Sequence, residues 1–323
     1  MRLKLVPQET NLDFFRFWRY TFGASVLAMV LSIVAFFAMG LNFGIDFKGG
    51  TTIRTEAVQP VDIGAYRGAV EPLGFGDVAI TEVFDPTFGP EQNVAMIRIE
   101  AQEGQEAKTP EQLAAIRAAL QEVDPSLTFA SVDSVGPKVS GELVQSAVIS
   151  VLLALGAVLF YVWLRFEWQF SVGAVAALVH DVVLTIGLFA ALQIRFDLAI
   201  IAALLTIVGY SLNDTVVVFD RVRENLIKFK KRPLREVLNM SINDTLSRTM
   251  MTSVTTLIAL IALFVLGGDV IRGFVFAMIW GVIVGTYSSV FVASVVLYRF
   301  GVKRDWSKVS GDTAGTQFGV KEG

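Results

Sequence analysis

The stretch Val208-Gly209-Tyr210-Ser211-Leu212-Asn213-Asp214-Thr215-Val216-Val217-Val218 lies late in an apolar run that extends from Leu198 to Phe219. At about 1.5 Å of helix per residue, such a run spans the ~30 Å hydrocarbon core of a bilayer. A carboxylate in hydrocarbon is costly, so acids inside membrane spans are rare and mark ion or proton pathways. The stretch therefore predicts a membrane-spanning helix and makes Asp214 the first functional candidate.

Composition agrees with that reading. Of 323 residues 54% are hydrophobic, and the mean hydropathy is +0.59; a soluble domain would be nearer ~45–50% apolar. Apolar stretches of spanning length occur at 20–39, 143–164, 170–191, 197–219, 250–268 and 273–298, and the first, lacking a cleavage-site pattern, reads as a permanent anchor. A pI of about 5.4 and a net charge of -3 argue against a nucleic-acid partner. With no cysteine and a single histidine, His180, the chain offers neither disulfides, thiol catalysis nor a multi-histidine metal site. No cofactor is expected, and no nucleophile-base set or nucleotide loop suggests an enzyme.

The expected fold is a membrane all-α bundle of six transmembrane helices with one α+β domain, of ferredoxin-like order, between helices 1 and 2. Its parts are an amino terminus over 1–19, helix 1 over 20–39, the domain over 40–142, helices 2 to 6 over 143–298 with an amphipathic loop at 220–247, and a tail over 299–323 that is partly disordered. Most of the 27 Lys and Arg fall on the side of the two termini, so these are expected in the cytoplasm and the domain outside, in the periplasm. Within the domain, Thr51–Val58, Asp77–Phe84, Asn93–Ala101 and Leu127–Val135 read as strands, Val61–Leu73 and Leu113–Val123 as helices, and Asp85-Pro86-Thr87-Phe88-Gly89-Pro90 as a turn. Thr109-Pro110-Glu111-Gln112 reads as a helix start. That order is the split βαβ.

Thr206, Tyr210 and Asp214 are spaced by four and share a stripe on the fourth span, with Ser211 beside it. Arg248, Thr252 and Thr256 repeat the spacing on the fifth. Depth permits Asp214 and Arg248 to meet, either as a fixed ion pair or as a carboxyl that takes up and releases a proton beside a lane of hydroxyls. His180-Asp181, near the middle of the third span, are accessory candidates; adjacent helical residues point about 100° apart and need not act together. Gly281, Gly285, Ser289 and Ala293 form a small-residue contact face on the sixth span. The basic segment Arg221–Ser247 reads as a hairpin lying on the bilayer surface, and Gly44-Ile45-Asp46-Phe47-Lys48-Gly49-Gly50 as a tight turn without a phosphate role.

Together four strings resemble the SecF family, the partner of SecD in bacterial Sec protein export. They are Gly44 to Gly50, Gly209 to Asn225, Arg248 to Thr256, and Gly285-Thr286-Tyr287-Ser288-Ser289. The resemblance implies an RND-type subunit of the inner membrane that pairs with SecD and acts beside the SecYEG channel and its accessory Sec subunits. It would use the proton motive force to assist unfolded preprotein. It implies a proton relay carried by Asp214 and Arg248, with the family's third-helix His-Asp at His180 and Asp181; the helical spacing adds Tyr210, Thr252 and Thr256 as neighbouring hydroxyls. A passive structural subunit, or half of a small-molecule exporter, would fit the same spans.

Overall fold

The computed structural model describes residues 10–76, 78–85, 88–89, 92–101 and 108–302. Residues 1–9, part of the turn at 85–90 and the tail beyond Val302 lie outside the described residues, and with them the expected disorder of that tail.

The elements, in chain order, are α1 (Trp18–Met39), β1 (Asn42–Phe43), α2 (Ile45–Lys48), β2 (Gly50–Ala57), α3 (Ile63–Val70), a 3-10 turn (Glu71–Leu73), β3 (Val78–Val83), β4 (Asn93–Glu100), α4 (Pro110–Val123), β5 (Thr128–Val135), α5 (Pro137–Arg165), α6 (Trp168–Leu192), β6 (Arg195–Phe196), α7 (Leu198–Lys228), α8 (Leu234–Leu266), α9 (Gly268–Ser288), a π turn (Ser289–Ala293) and α10 (Ser294–Phe300). Among the described residues six helical stretches are long and apolar enough to cross a membrane, α9 to α10 counting as one. This is a multi-pass membrane protein.

Between α1 and α5 the strands form one antiparallel sheet in the order β3-β4-β2-β5. Alternation places Ile53 of β2 with Ile97 and Ile99 of β4 on the inner face, where Tyr66 and Val70 of α3 and Ile116 and Leu120 of α4 cover them. Thr109 closes a capping box on α4: its hydroxyl accepts from Gln112 N, and its own N–H donates to the Gln112 side chain.

A short joint fixes this domain to the bundle. β1 pairs in parallel with β6, and Gly44 N donates to Phe196 O at 2.8 Å. Asp46 Oδ2 accepts from Leu198 N at 3.1 Å, while Asp197 caps α7 by accepting from Ile200 N. Burial pushes the Asp197 carboxyl up from its ordinary range, against the pull of Arg195 at 3.6 Å. The expected tight turn is thus a one-turn helix, α2, followed by Gly50 at φ 140, where a Cβ would run into the Ile99 carbonyl.

Within the bundle α6, α7 and α9 are central, whereas α1, α5 and α8 leave most of their apolar surface uncovered: 61% of the sixth span is buried but only 6% of the first. The contact between α7 and α9 runs along the small-residue face. Any Cβ at Gly281 would strike Ile207, and one at Gly285 would sit 3.1 Å from Ser211 Cβ. At the end of the π turn the Ala293 carbonyl lies 2.9 Å from where a Cβ at Gly173 of α6 would sit.

The basic segment expected as a surface hairpin is instead the continuation of two spans. α7 runs unbroken to Lys228 and α8 begins at Leu234, because Val222, Leu226, Val237, Leu238 and Ile242 form an apolar seam between the two arms. Asn225 Nδ2 reinforces it, donating to Ser241 Oγ at 3.0 Å and Asp244 Oδ2 at 3.1 Å. The chain ahead of α1 is tied to the same arm: Leu12 N and Phe14 N donate to the side-chain oxygens of Asn243 and Asn239, each at 2.8 Å.

Gly281→Ala should lower the thermal midpoint of the full chain in detergent, a loss of ~1–3 kcal/mol from overpacking. Because the nearest atoms a Cβ would meet all belong to Ile207, Ile207→Ala in the same chain should recover part of the loss; no recovery would mean that this contact does not set the α7 to α9 distance.

Candidate functional site, two acids in the bundle

Asp181 sits at the meeting point of α6, α7 and α9, and its carboxylate is fully engaged. Oδ2 accepts from Ser211 Oγ of α7 at 2.6 Å and from Ser288 Oγ of α9 at 2.8 Å. Oδ1 accepts from His180 Nδ1 at 2.9 Å. Asp181 and His180 are each 1% exposed, so every one of these bonds is made where water cannot substitute. Neighbours expected to point apart therefore act as one unit. The reason is rotamer choice: an imidazole reaches along the helix surface far enough to meet the carboxylate of the next residue.

The network extends to the helix nearest the chain start. The His180 ring stacks on Tyr287 with centroids 6.2 Å apart. The Tyr287 hydroxyl donates to Thr21 O at 2.9 Å and accepts from Ser25 Oγ at 3.0 Å. Ser25 is the one buried residue of α1. Ser288, Tyr287 and Ser25 were not legible as site residues. The available signal was a Tyr-Ser-Ser cluster inside an apolar span, which by spacing alone reads as packing.

Asp214 stands in different surroundings. It is 3% exposed, yet its Oδ2 has no hydrogen-bond partner. Nearby on α7, the Tyr210 hydroxyl and Thr215 Oγ1 are also buried and unpartnered, as is Thr249 Oγ1 on the adjoining α8. No ion pair within 4.0 Å joins Asp214 to Arg248, whose side chain is exposed on α8. The two residues that depth permits to meet are thus not in direct contact here.

The expected lane of hydroxyls is not continuous. Thr252 Oγ1 donates to Thr249 O at 2.9 Å and Thr256 Oγ1 to Thr252 O at 2.8 Å, so both hydroxyls are spent on their own helix. Thr206 likewise bonds back to Ala202 O and faces outward, leaving Tyr210, half-buried, as the member of its stripe beside Asp214. Among the described residues no group of three or more His, Cys, Asp or Glu could hold a metal ion.

Comparison with known proteins bears on this arrangement. A family model for the C-terminal region of the protein export membrane proteins SecD/SecF matches residues 115–303, and one for the SecD/SecF GG motif matches residues 34–61. The protein translocase subunit SecF of Cereibacter sphaeroides is 60% identical over 317 residues, covering 98% of this chain and 98% of its own. That of Rickettsia felis is 39% identical over 311 residues, covering 95% and 97%. The crystal structure of SecDF, a translocon-associated membrane protein from Thermus thermophilus, aligns with a TM-score of 0.81 at 36% identity over 93% of this chain and 40% of that one. SecDF in its super-membrane-facing form aligns with a TM-score of 0.68 at 38% identity, covering 92% and 39%. The chain therefore spans about two fifths of the SecDF chains it matches.

The contrast between the acids is measurable. Asp181→Ala would strand the Ser211 hydroxyl and an imidazole N–H in the bundle, each worth ~1–3 kcal/mol when buried and unpaired, while Ser288 keeps its bond to Gly285 O. The thermal midpoint should fall steeply. Asp214→Asn, which breaks no hydrogen bond to Oδ2, should leave the midpoint nearly unchanged; equal losses at both sites would contradict the distinction.

Proposed function

Because this chain belongs to the SecF family of protein translocase subunits, we propose that it pairs with SecD and uses the proton motive force to assist preprotein movement through the SecYEG channel. The observation that carries this reading is the buried, unpartnered carboxylate oxygen of Asp214. The Asp181 carboxylate is already committed to three donors, whereas a carboxyl with a free oxygen can take up a proton without breaking a bond. Asp214 is the titrating group in this account, Arg248 its electrostatic counterweight and Tyr210 the neighbouring hydroxyl. Asp181 and His180 hold α6, α7 and α9 in register around it. Thr252 and Thr256 shape the α8 wall and are not conductors in the arrangement described.

The setting follows from the same reading. The chain lies in the inner membrane with both termini in the cytoplasm, supported by the basic residues around α1 and the arms of α7 and α8. The antiparallel domain, ferredoxin-like in its strand order, lies in the periplasm. There the β1 to β6 joint and the Asp46 to Leu198 bond carry helix movement outward to it, because one end of the joint is the first residue of the helix that holds Asp214. The uncovered apolar faces of α1, α5 and α8 are surface for lipid and for SecD. A unit charge moved across 100 mV gains about 2.3 kcal/mol, enough to bias an element whose two states differ by a few kcal/mol.

The test is Asp214→Asn in a SecD-containing complex, assayed for preprotein export into membrane vesicles with and without a proton gradient. The variant should assemble with SecD and export at the rate that the wild type shows when its gradient is collapsed. Export still stimulated by the gradient would leave this chain a passive structural subunit.

A further inference from the structure

We propose that the end of the bundle where α1 begins carries a binding site for the phosphate of an anionic phospholipid, formed by Arg19 and Arg299 around the indole of Trp18. The Arg19 guanidinium lies 5.6 Å from the ring centroid of Trp18 and the Arg299 guanidinium 4.7 Å from it. Two like charges gathered on one ring repel each other. Stacking on an aromatic face offsets that repulsion in part, and it leaves the N–H edges of each guanidinium free to donate in pairs. Both side chains are exposed, and neither makes an ion pair with an acid among the described residues. Two other arginines at the same end are paired with acids: Arg221 with Asp244 and Glu224 at 2.8 Å, and Arg235 with Asp13 at 3.2 Å.

The surroundings place the pair at headgroup depth. Trp18 is held edge-on by Tyr298 at 6.1 Å, which also meets buried Phe15 at 5.6 Å, so the indole is fixed by packing before any ligand arrives. Tyr20 and Trp168, near the starts of α1 and α6, and Phe300, at the end of α10, are large exposed aromatics, and Trp168 and Phe300 meet edge to face. Such a belt marks the boundary between acyl chains and headgroups. An open groove lined by Leu12, Phe14, Phe17, Thr21 and Phe291, with Arg16 and the Arg235-paired Asp13 at its polar side, offers an acyl chain an apolar wall. A lipid satisfies the charge and the apolar surface together, which free phosphate does not.

The full-length chain, delipidated in detergent, is given phosphatidylglycerol, phosphatidylcholine or inorganic phosphate, and bound molecules are counted by native mass spectrometry. The wild type should retain phosphatidylglycerol over the other two. Arg19→Gln with Arg299→Gln should weaken that retention about tenfold or more. Arg221→Gln with Arg235→Gln, which removes the same charge from acid-paired positions, should change it less than threefold. Equal losses in the two double variants, no loss in the first, or inorganic phosphate retained as well as phosphatidylglycerol would each overturn the proposal.

Discussion

A polar group in hydrocarbon must find its partner inside the protein, and that constraint orders the whole bundle. Asp181 meets it completely: two serines and a histidine, drawn from three helices, surround one carboxylate. The close contact of α7 with α9 exists to make this possible, because only Gly281 and Gly285 let the serines of the two helices approach one acid. Asp214, three residues beyond Ser211 on α7 and also buried, meets the constraint only in part. The energy that holds the bundle together and the chemistry assigned to it thus rest on two acids of the same type, set apart by what their oxygens touch.

The same division appears between helices. α6, α7 and α9 carry the polar network and are buried against each other, while α1, α5 and α8 present apolar side chains outward. α1 is joined to the centre by its own small polar device, Ser25 and the Thr21 carbonyl meeting Tyr287. In a membrane, apolar packing alone distinguishes poorly between protein and lipid neighbours, so these few hydrogen bonds fix which face of α1 turns inward.

Apolar run length and composition placed all six spans, since both follow directly from the thickness of hydrocarbon. Strand alternation and the Thr109 cap likewise read through to the sheet and to α4, because they are local signals. What escaped was non-local or conformational. The helical arms of α7 and α8 look amphipathic in sequence because each packs on the other rather than on a surface. Ser288 and Tyr287 are meaningful only once α9 lies against α6. Asp214 and Arg248 have matching depths, but depth does not fix the rotation of two helices about their axes, and here the guanidinium turns outward. The π turn has no residue signature at all in Ser289-Val290-Phe291-Val292-Ala293.

That turn has a consequence for how the chain tolerates change in length. Its wider winding accommodates one surplus residue and thereby alters the angular phase of everything after it. Before the turn Gly281 and Gly285 pack on α7 while Tyr287 and Ser288 meet α6, and at its end Ala293 meets Gly173 of α6. A deletion of one amino acid between Ser289 and Ala293 would restore uniform winding and rotate Ala293 away from Gly173. A single-residue gap in this membrane helix thus resets the facing of everything that follows it.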